Sequence, residues 1–189
     1  MSATAIRPLS IEDSEALAVL HRQNREFLRP WDPPRSDEFF TEVGQRASVA
    51  AALRQRDNGA MWPGVVLYEG AVVGRVDLNN ILLGRLRSCF IGYWISSGHN
   101  GRGIATDAVA LALNVAFHDL QLHRVDAFAR EDNPASCRVL KKCGFRTVGV
   151  SRGHIHIDGR WRDDVFFQKL APWDDRVRLM PDAGGAHSN

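Results

Sequence analysis

The sequence has few cysteines, no large excess of charge and no long apolar run, and each shortage excludes a class of protein. Three cysteines without paired spacing argue against a disulfide framework or a zinc site. A net charge of +2 is small for a dedicated nucleic-acid-binding surface. The apolar stretches are far shorter than a membrane span, and the N-terminal residues lack the features of a signal peptide. We therefore expect a cytoplasmic protein that binds neither nucleic acid nor membrane.

The apolar content is sufficient for one globular domain, since 44% of the 189 residues are hydrophobic. Periodicity and turn signals predict a strand, two helices, three strands, a helix, a strand, a helix and two strands. This order is typical of a mixed α/β domain. We expect the domain over residues 1–173. Residues 174–189 are rich in polar and turn-forming residues without periodicity, which predicts a flexible tail.

Local signals set the expected boundaries of several elements. The apolar spacing predicts one helix over residues 11–28, ended by a proline-rich segment. Ser36 is expected to cap a second helix that continues to about residue 56. Asn133 and Pro134 are typical of an N-cap and first helical position. Asp158 and Gly159 predict a two-residue hairpin turn between the last two strands.

A glycine-rich turn leads into an apolar helix at residues 98–113, GHNGRGIATDAVALAL. It does not match the dinucleotide fingerprint, because Thr106 stands where the third glycine is required, and no P-loop lysine follows. Such a turn can still hold a phosphate, because the N–H groups and dipole of a helix N-terminus favour an anion. A tight turn without a ligand explains the same residues. The turn alone leaves both interpretations open.

Neighbouring motifs favour the first interpretation. Asn100-x-x-Gly103-x-Ala105 resembles the (Q/R)-x-x-G-x-(G/A) motif with which GNAT acetyltransferases cradle the pyrophosphate of acetyl-CoA, although Asn100 replaces the usual Gln or Arg. The following N-x-x-S helix and the order of elements also resemble that family. NREFLRPWDPPR, SCFIGYWI, LHRV, NPASCRVLKKCGF and HIDGRWRDDV are similar to stretches of its RimJ/RimL branch, the ribosomal-protein alanine N-acetyltransferases, with RimJ the closer. The resemblance covers residues 6–173.

The resemblance implies the GNAT fold, a mixed and mostly antiparallel sheet of six or seven strands flanked by helices and splayed at its centre for acetyl-CoA. The implied activity is direct transfer of acetyl from acetyl-CoA, without a metal, to the N-terminal alanine of a ribosomal protein. A small amine such as a polyamine, amino acid or aminoglycoside is the alternative acceptor. A non-catalytic acyl-CoA-binding or ribosome-assembly module is a further alternative. Either a monomer or a homodimer is compatible with the sequence.

The same resemblance implies which residues bind acetyl-CoA. The pantetheine arm would follow one strand, the pyrophosphate would lie at the glycine turn, and the N-x-x-S helix would contact the arm. Core packing of the strand aromatics and simple capping of the helix are the alternatives. The implied residues are Tyr93, Trp94, Ile95, Asn100, Gly101, Arg102, Gly103, Ile104, Ala105, Thr106, Asn133 and Ser136.

The resemblance, together with what acetyl transfer to an amine requires, also implies the catalytic residues. The Ile95 N–H would stabilise the oxyanion, and Ser136 would hydrogen-bond the departing thiolate, since no tyrosine occupies the position of the general acid of many relatives. The central strand carries no carboxylate base. An α-amine, with a pKa of about 7.7–8.0 against about 10.4 for lysine, needs only a weak base or a water. Asp77 and Glu26 are the candidate carboxylates.

Two further residues are expected on the acceptor side. Trp31, in the stiff segment PWDPPR, would pack beneath the acceptor or close the end of the first helix. His154 and His156 flank the last hairpin on one face without the spacing of metal ligands, and His154 is the candidate substrate contact. An acidic pocket here would favour a cationic small amine. A neutral groove with one open end would favour a peptide.

Overall fold

The computed structural model describes residues 3–157 and 159–173, in which seven strands form one sheet of order β1-β2-β3-β4-β5-β7-β6. Asp158 and the predicted tail, residues 174–189, lie outside the described residues. The strands are β1 Thr4–Pro8, β2 Met61–Tyr68, β3 Ala71–Leu82, β4 Ser88–Ile95, β5 Arg124–Arg130, β6 Arg146–Ile157 and β7 Arg160–Leu170. The helices are α1 Ser14–Gln23, α2 Arg25–Leu28, α3 Glu42–Asp57, α4 Ile104–Asn114 and α5 Pro134–Lys142. This is the predicted mixed α/β architecture.

The sheet splits between β4 and β5. These strands are parallel and pair only where Ser88–Phe90 faces Arg124–Asp126, whereas the other neighbours in the described sheet are antiparallel. Beyond Phe90 and Asp126, both strands continue without pairing to each other. The predicted splay at the centre of the sheet is therefore confirmed, and we call this space the gap.

Helices cover the two faces of the sheet differently. Val125, Ala127 and Ala129 of β5 alternate onto one face and are buried in the main core together with α4 and α5. On the opposite face, α1 and α3 contact β3 and β2, and a smaller core forms around Leu17 and Val49. We call these the α5 face and the α1 face. Within the described residues, no helix is long and apolar enough to cross a membrane.

The helix predicted over residues 11–28 is interrupted at Asn24. Asn24 is buried, leaves helical geometry at φ −108° and ψ 12°, and separates α1 from α2. Its Nδ2 donates to the Leu20 carbonyl at 2.8 Å and to Ser96 Oγ at 3.1 Å, while its Oδ1 accepts from the Ser97 N–H at 2.8 Å. The helix breaks because this side chain ties it to the end of β4.

Ser36 was predicted to cap the second helix, and this prediction is wrong. Ser36 precedes a 3₁₀ turn over Asp37–Phe40 and makes no capping hydrogen bond through its side chain. Thr41 caps α3 instead, because its Oγ1 accepts from the Gly44 N–H at 3.0 Å. At the other end of the chain, Ile157 pairs with Arg160, so the hairpin reverses where the sequence predicts it.

Candidate active site

The glycine turn places an uncapped helix N-terminus shortly after the end of the central strand β4. Gly101 and Gly103 have left-handed backbones, with φ of 78° and 82°, and Gly103 is the N-cap of α4. No side chain caps this helix, whose first regular hydrogen bond runs from the Asp107 N–H to the Gly103 carbonyl at 3.0 Å. The N–H groups before Asp107 therefore point out of the helix end.

The space in front of this turn suits a phosphate. A Cβ added to Gly101 or Gly103 would meet no described atom within 4 Å. Asn100 and Arg102 are exposed, whereas the Ile104 side chain is buried and anchors the helix to the main core. Ala105 and Thr106 are half-buried in the first turn, and the Thr106 carbonyl accepts from Cys143 Sγ at 3.4 Å. The turn is therefore fixed by its core side and open on its outer side.

Three groups at the end of β4 point in different directions: the Ile95 N–H, the Tyr93 side chain and the Trp94 side chain. The Ser96 N–H donates to the Val73 carbonyl at 2.8 Å. Because alternate residues of an antiparallel strand bond to the same neighbour, the Ile95 N–H points away from β3 and into the gap. The Tyr93 side chain lies on the α5 face, and the Trp94 side chain lies on the α1 face, where it packs against His21.

Tyr93 and Ser136 meet across the gap. The Tyr93 hydroxyl is 2.9 Å from Ser136 Oγ and 3.3 Å from the Ser136 carbonyl, to which it donates. Asn133 accepts from the Ser136 N–H at 3.1 Å, which confirms the predicted N-cap. Burial raises the pKa of Tyr93 well above its usual value, so this phenol remains a proton donor. A tyrosine thus reaches Ser136 from β4, a contact that no local sequence pattern predicts.

A cleft on the α1 face lies between the first helices and the proline-rich segment. His21, which contacts Trp94 with ring centroids 4.7 Å apart, belongs to its wall. Three arginines and one aspartate supply its charged groups. The lining residues are His21, Arg25, Leu28, Arg29, Asp32, Pro33, Pro34, Arg35 and Phe40. Each arginine has a carboxylate partner, since Arg25 pairs with Asp37 at 2.8 Å, Arg29 with Glu26 at 3.7 Å and Arg35 with Asp32 at 4.0 Å. The described lining therefore carries no acidic excess, which fits the neutral groove considered above better than the acidic pocket.

Trp31 lies beside this cleft rather than in its lining. Arg130, at the end of β5, donates from Nη1 to the Pro30 carbonyl at 2.7 Å, and its Cζ lies 5.1 Å from the Trp31 ring centroid. Asn24 is bound at the end of β4 and Pro30 at the last residue of β5, so the segment between them, which contains α2, spans the two strand ends that border the gap.

The two candidate carboxylates lie in different environments. Asp77 on β3 pairs with Gly92 of β4 and accepts from Arg75 Nη2 at 2.7 Å and from the Gly64 N–H at 3.2 Å. Burial raises the pKa of Asp77, and Arg75 opposes that effect. Glu26 has a side chain that is 80% exposed and lies 3.7 Å from Arg29. Glu26 is thus part of a surface ion pair, and Asp77 is the better placed of the two.

The two histidines of the last hairpin are separated by the structure, contrary to the prediction that they share a face. His154 Nδ1 lies 2.7 Å from Asp164 Oδ2, whereas the His156 ring contacts Trp161 with centroids 5.3 Å apart. Asp164 and Trp161 project from opposite faces of β7, because they are an odd number of residues apart. A break in the regular β6–β7 register between Ser151 and Ile155 causes the separation.

The cysteines have no arrangement that suits metal binding or nucleophilic catalysis. Burial raises the pKa of the Cys89 thiol to about 12, and it also raises the pKa of Cys137 and Cys143. These thiols are therefore weak nucleophiles at neutral pH. Among residues 3–157 and 159–173, no group of three His, Cys, Asp or Glu side chains is placed to hold a metal ion.

The buried His21 should make the stability of the fold depend on pH. Burial, assisted by Arg75 and Arg35, lowers its pKa to about 4 from an ordinary value of about 6.5. The unfolded chain therefore takes up the proton first as the pH falls. We expect the free energy of unfolding to decrease between pH 6.5 and pH 4 by on the order of 3 kcal/mol, measured by urea denaturation at each pH.

A variant comparison assigns this effect to His21. His21→Phe keeps a ring between Trp94 and Phe39 but cannot titrate, so its unfolding free energy should vary less over the same pH range. His118→Gln, at an exposed site, should behave like the parent chain. An equally steep decrease in His21→Phe would show that other groups control the acid sensitivity.

Comparisons with known proteins agree with this geometry. The family model described as "Acetyltransferase (GNAT) domain" matches residues 4–146. A probable N-acetyltransferase of Bacillus subtilis, YjcK, is 35% identical over 173 residues, which is 90% of this chain and 96% of that protein. The [ribosomal protein uS5]-alanine N-acetyltransferase of Escherichia coli is 27% identical over 169 residues, covering 88% of this chain and 87% of that protein.

A solved structure extends the agreement to three dimensions. Mycobacterium smegmatis RimJ in complex with a CoA disulfide superposes with a TM-score of 0.87 at 30% identity, covering 93% of this chain and 84% of that one. The gap and the uncapped turn at Gly103 fit such a ligand. Both present backbone N–H groups that make no cap or strand-pairing hydrogen bond within the described residues. The chain uses acetyl-CoA as its acetyl donor, and it belongs to the GNAT family of N-acetyltransferases.

Proposed function

We propose that this enzyme acetylates the α-amine of a protein N-terminus, specifically an N-terminal alanine of a ribosomal protein. The observation that carries this proposal is the charge of the cleft on the α1 face. Its described lining has three arginines and one carboxylate, and each arginine is balanced by a nearby carboxylate, so no acidic excess would attract a polycationic acceptor such as a polyamine or an aminoglycoside. A peptide N-terminus carries one positive charge and loses it near neutral pH. Such an acceptor would place the reaction in the cytoplasm.

The relatives support the same acceptor. One is described as acting on the alanine of ribosomal protein uS5, and it aligns with 88% of this chain. The RimJ structure shares the fold along 93% of this chain. NREFLRPWDPPR, one of the segments that resemble this branch, forms α2 and part of the cleft wall. Residues that resemble the family and the arginine-lined cleft therefore belong to the same part of the chain.

The chemistry would use the two faces of the gap. Acetyl-CoA would be held by its pyrophosphate at the N–H groups of residues 101–106 and by its arm along β4, near Tyr93, Asn133 and Ser136. The acceptor amine would enter from the α1 face, beside Trp94. The Ile95 N–H would donate to the oxyanion, and the Tyr93–Ser136 pair would donate a hydrogen bond to the leaving thiolate.

A panel of acceptors tests the proposal. CoA thiol release would be followed with acetyl-CoA and peptides that differ only in their first residue, namely Ala, Ser and Met, and with spermidine, a free amino acid and an aminoglycoside. We expect kcat/KM to be highest for the Ala peptide and at least about 100-fold lower for the polycations, since about 3 kcal/mol of discrimination is a typical penalty for an unmatched charge.

Two controls make the panel decisive. The same Ala peptide with an acetylated N-terminus should release no thiol, which identifies the α-amine as the acceptor. Arg29→Ala and Arg35→Ala should each improve the relative kcat/KM for spermidine. Turnover of the small amines alone, with every peptide inactive, would overturn the N-terminal proposal.

A further inference from the structure

The break in register within β6 places one side chain where regular pairing would not. Ser151 pairs with Asp164 and Ile155 pairs with Arg162, so residues 152–154 of β6 face the single residue Asp163 of β7. Bulges of this kind re-aim side chains, and they are enriched beside active sites. Here the bulge turns His154 onto Asp164.

The contacts of His154 fix both its tautomer and its ring plane. Its Nδ1 lies 2.7 Å from Asp164 Oδ2, and the Asp164 side chain is only 6% exposed. A buried carboxylate accepts the Nδ1–H, which leaves the lone pair on Nε2. The ring stacks on Phe128 with centroids 3.9 Å apart and an interplanar angle of 25°. The His154 side chain is 34% exposed, so a ligand can reach the ring.

Phe128 connects this pair to the gap. It follows Asp126, the last residue of β5 that pairs with β4, and it stacks on Phe90 of β4 with centroids 5.6 Å apart. Phe128 and Trp94 share the α1 face because both alternate with residues of the main core. His154 comes from β6, two positions from β5 in the sheet, but its ring centroid lies 3.9 Å from that of Phe128. It therefore contacts a residue of the strand that borders the gap, on the side proposed for the acceptor.

We propose that His154 Nε2 is the general base that deprotonates the acceptor, with Asp164 as its positioning residue. This assignment rests on the proposed α-amine acceptor. The two alternative carboxylates are less suited to this role. Asp77 accepts a hydrogen bond from Arg75 at 2.7 Å, and Glu26 is an exposed residue 3.7 Å from Arg29. An imidazole accepts a proton readily from an α-amine, whose pKa is about 7.7–8.0, and much less readily from a lysine, whose pKa is about 10.4.

The proton balance of the step is complete without a further reactant. The acceptor ammonium gives one proton to Nε2, and its nitrogen then forms a bond to the carbonyl carbon of the acetyl thioester. The carbon–sulfur bond breaks, and its electron pair leaves with the CoA sulfur. The second proton lost from the nitrogen is the one gained by the thiolate, beside Tyr93 and Ser136. His154 finally returns its proton to water.

Other charged groups lie on the strands packed around this histidine. Arg162 on β7 projects from the same face as Asp164. Arg130 on β5 pairs with Asp164 in the sheet, and its guanidinium is bound by Asp132 and the Pro30 carbonyl. On β6, Arg152 forms an ion pair with Asp163 at 2.6 Å. Apart from Asp164, these groups are cationic or already paired.

The test is the pH dependence of turnover in His154→Gln. With an Ala-starting peptide and saturating acetyl-CoA, we expect kcat/KM to fall about 100-fold at pH 7, within the range of general-base effects. The loss should shrink towards pH 9, where the amine is neutral without assistance. Asp164→Asn should give the same pattern with a smaller loss of kcat/KM. This variant keeps the imidazole of His154 but removes the carboxylate that fixes its tautomer.

Three comparisons separate this role from a structural one. His156→Gln, on the same strand, should match the parent chain at each pH, and all variants should keep the parent Kd for acetyl-CoA. Added imidazole should partly restore turnover to His154→Ala. A His154→Gln loss that is absent, or equal at all pH values, would overturn the assignment. If only a small amine is turned over, the proposed function fails, and the same profiles measured with that amine still decide the role of His154.

Discussion

Replacing Gly103 with valine is expected to raise the Kd for acetyl-CoA by at least about 100-fold, which corresponds to about 3 kcal/mol. The N-cap position of Gly103 makes it the residue nearest to the N–H groups that would bind the pyrophosphate. A Cβ at this position meets no described atom within 4 Å, so the new side chain would project into the space in front of the helix end. The effect therefore falls on the ligand more than on packing. Isothermal titration with acetyl-CoA measures it.

Backbone strain must be separated from this steric effect. Gly103 has φ of 82°, and a residue with a Cβ in the left-handed region costs about 1–2 kcal/mol. Gly59, which follows α3, has φ of 71° and is equally open, so Gly59→Val is a matched control. Both variants should lose similar thermal stability, and only Gly103→Val should lose affinity. Unchanged affinity in Gly103→Val would show that the pyrophosphate lies elsewhere.

Removing the hydroxyl of Tyr93 is expected to lower kcat by about 10- to 100-fold without changing the KM for acetyl-CoA. The hydroxyl lies 2.9 Å from Ser136 Oγ, and burial keeps it protonated. A hydrogen bond to a thiolate is made only as the carbon–sulfur bond breaks, so its loss should appear in kcat. Tyr93→Phe, Ser136→Ala and the double variant would be compared by initial rates of thiol release.

The double variant distinguishes one paired donor from two separate ones. If the hydroxyls act together, the loss in the double variant should be close to the larger single loss, because residues that act as a unit are not additive. Tyr68, the other tyrosine of the chain, provides the control, and Tyr68→Phe should retain the parent kcat. Additive losses would contradict a shared role, and an unchanged kcat in Tyr93→Phe would remove Tyr93 from catalysis.

The parts of the structure that sequence could predict are those set by short-range interactions. Asn133 caps α5 by accepting from Ser136, three residues away, and the sequence predicts this cap. The Tyr93–Ser136 contact joins residues 43 positions apart, and that of Asn24 with Ser97 joins residues 73 apart. No local pattern identifies such partners. Only the topology of the sheet brings them together.

The same limit explains two wrong expectations. Ser36 and Thr41 are both good N-cap residues, and the choice between them depends on how the segment after the prolines packs. His154 and His156 would share a face in a regular strand, but the bulge in β6 changes the alternation. Strand alternation was reliable where pairing is regular, as along β5, and it failed where the register shifts.

The alternation of Tyr93 and Trp94 on β4 has a kinetic consequence. Because adjacent side chains of this strand project from opposite faces, the sheet is a partition with one opening, and two reactants can approach that opening from opposite sides. Neither has to depart before the other arrives. A reaction at such an opening does not need a side chain that carries the acetyl group between two half-reactions. The thiols of Cys89 and Cys143, which are buried and protonated, are consistent with direct transfer.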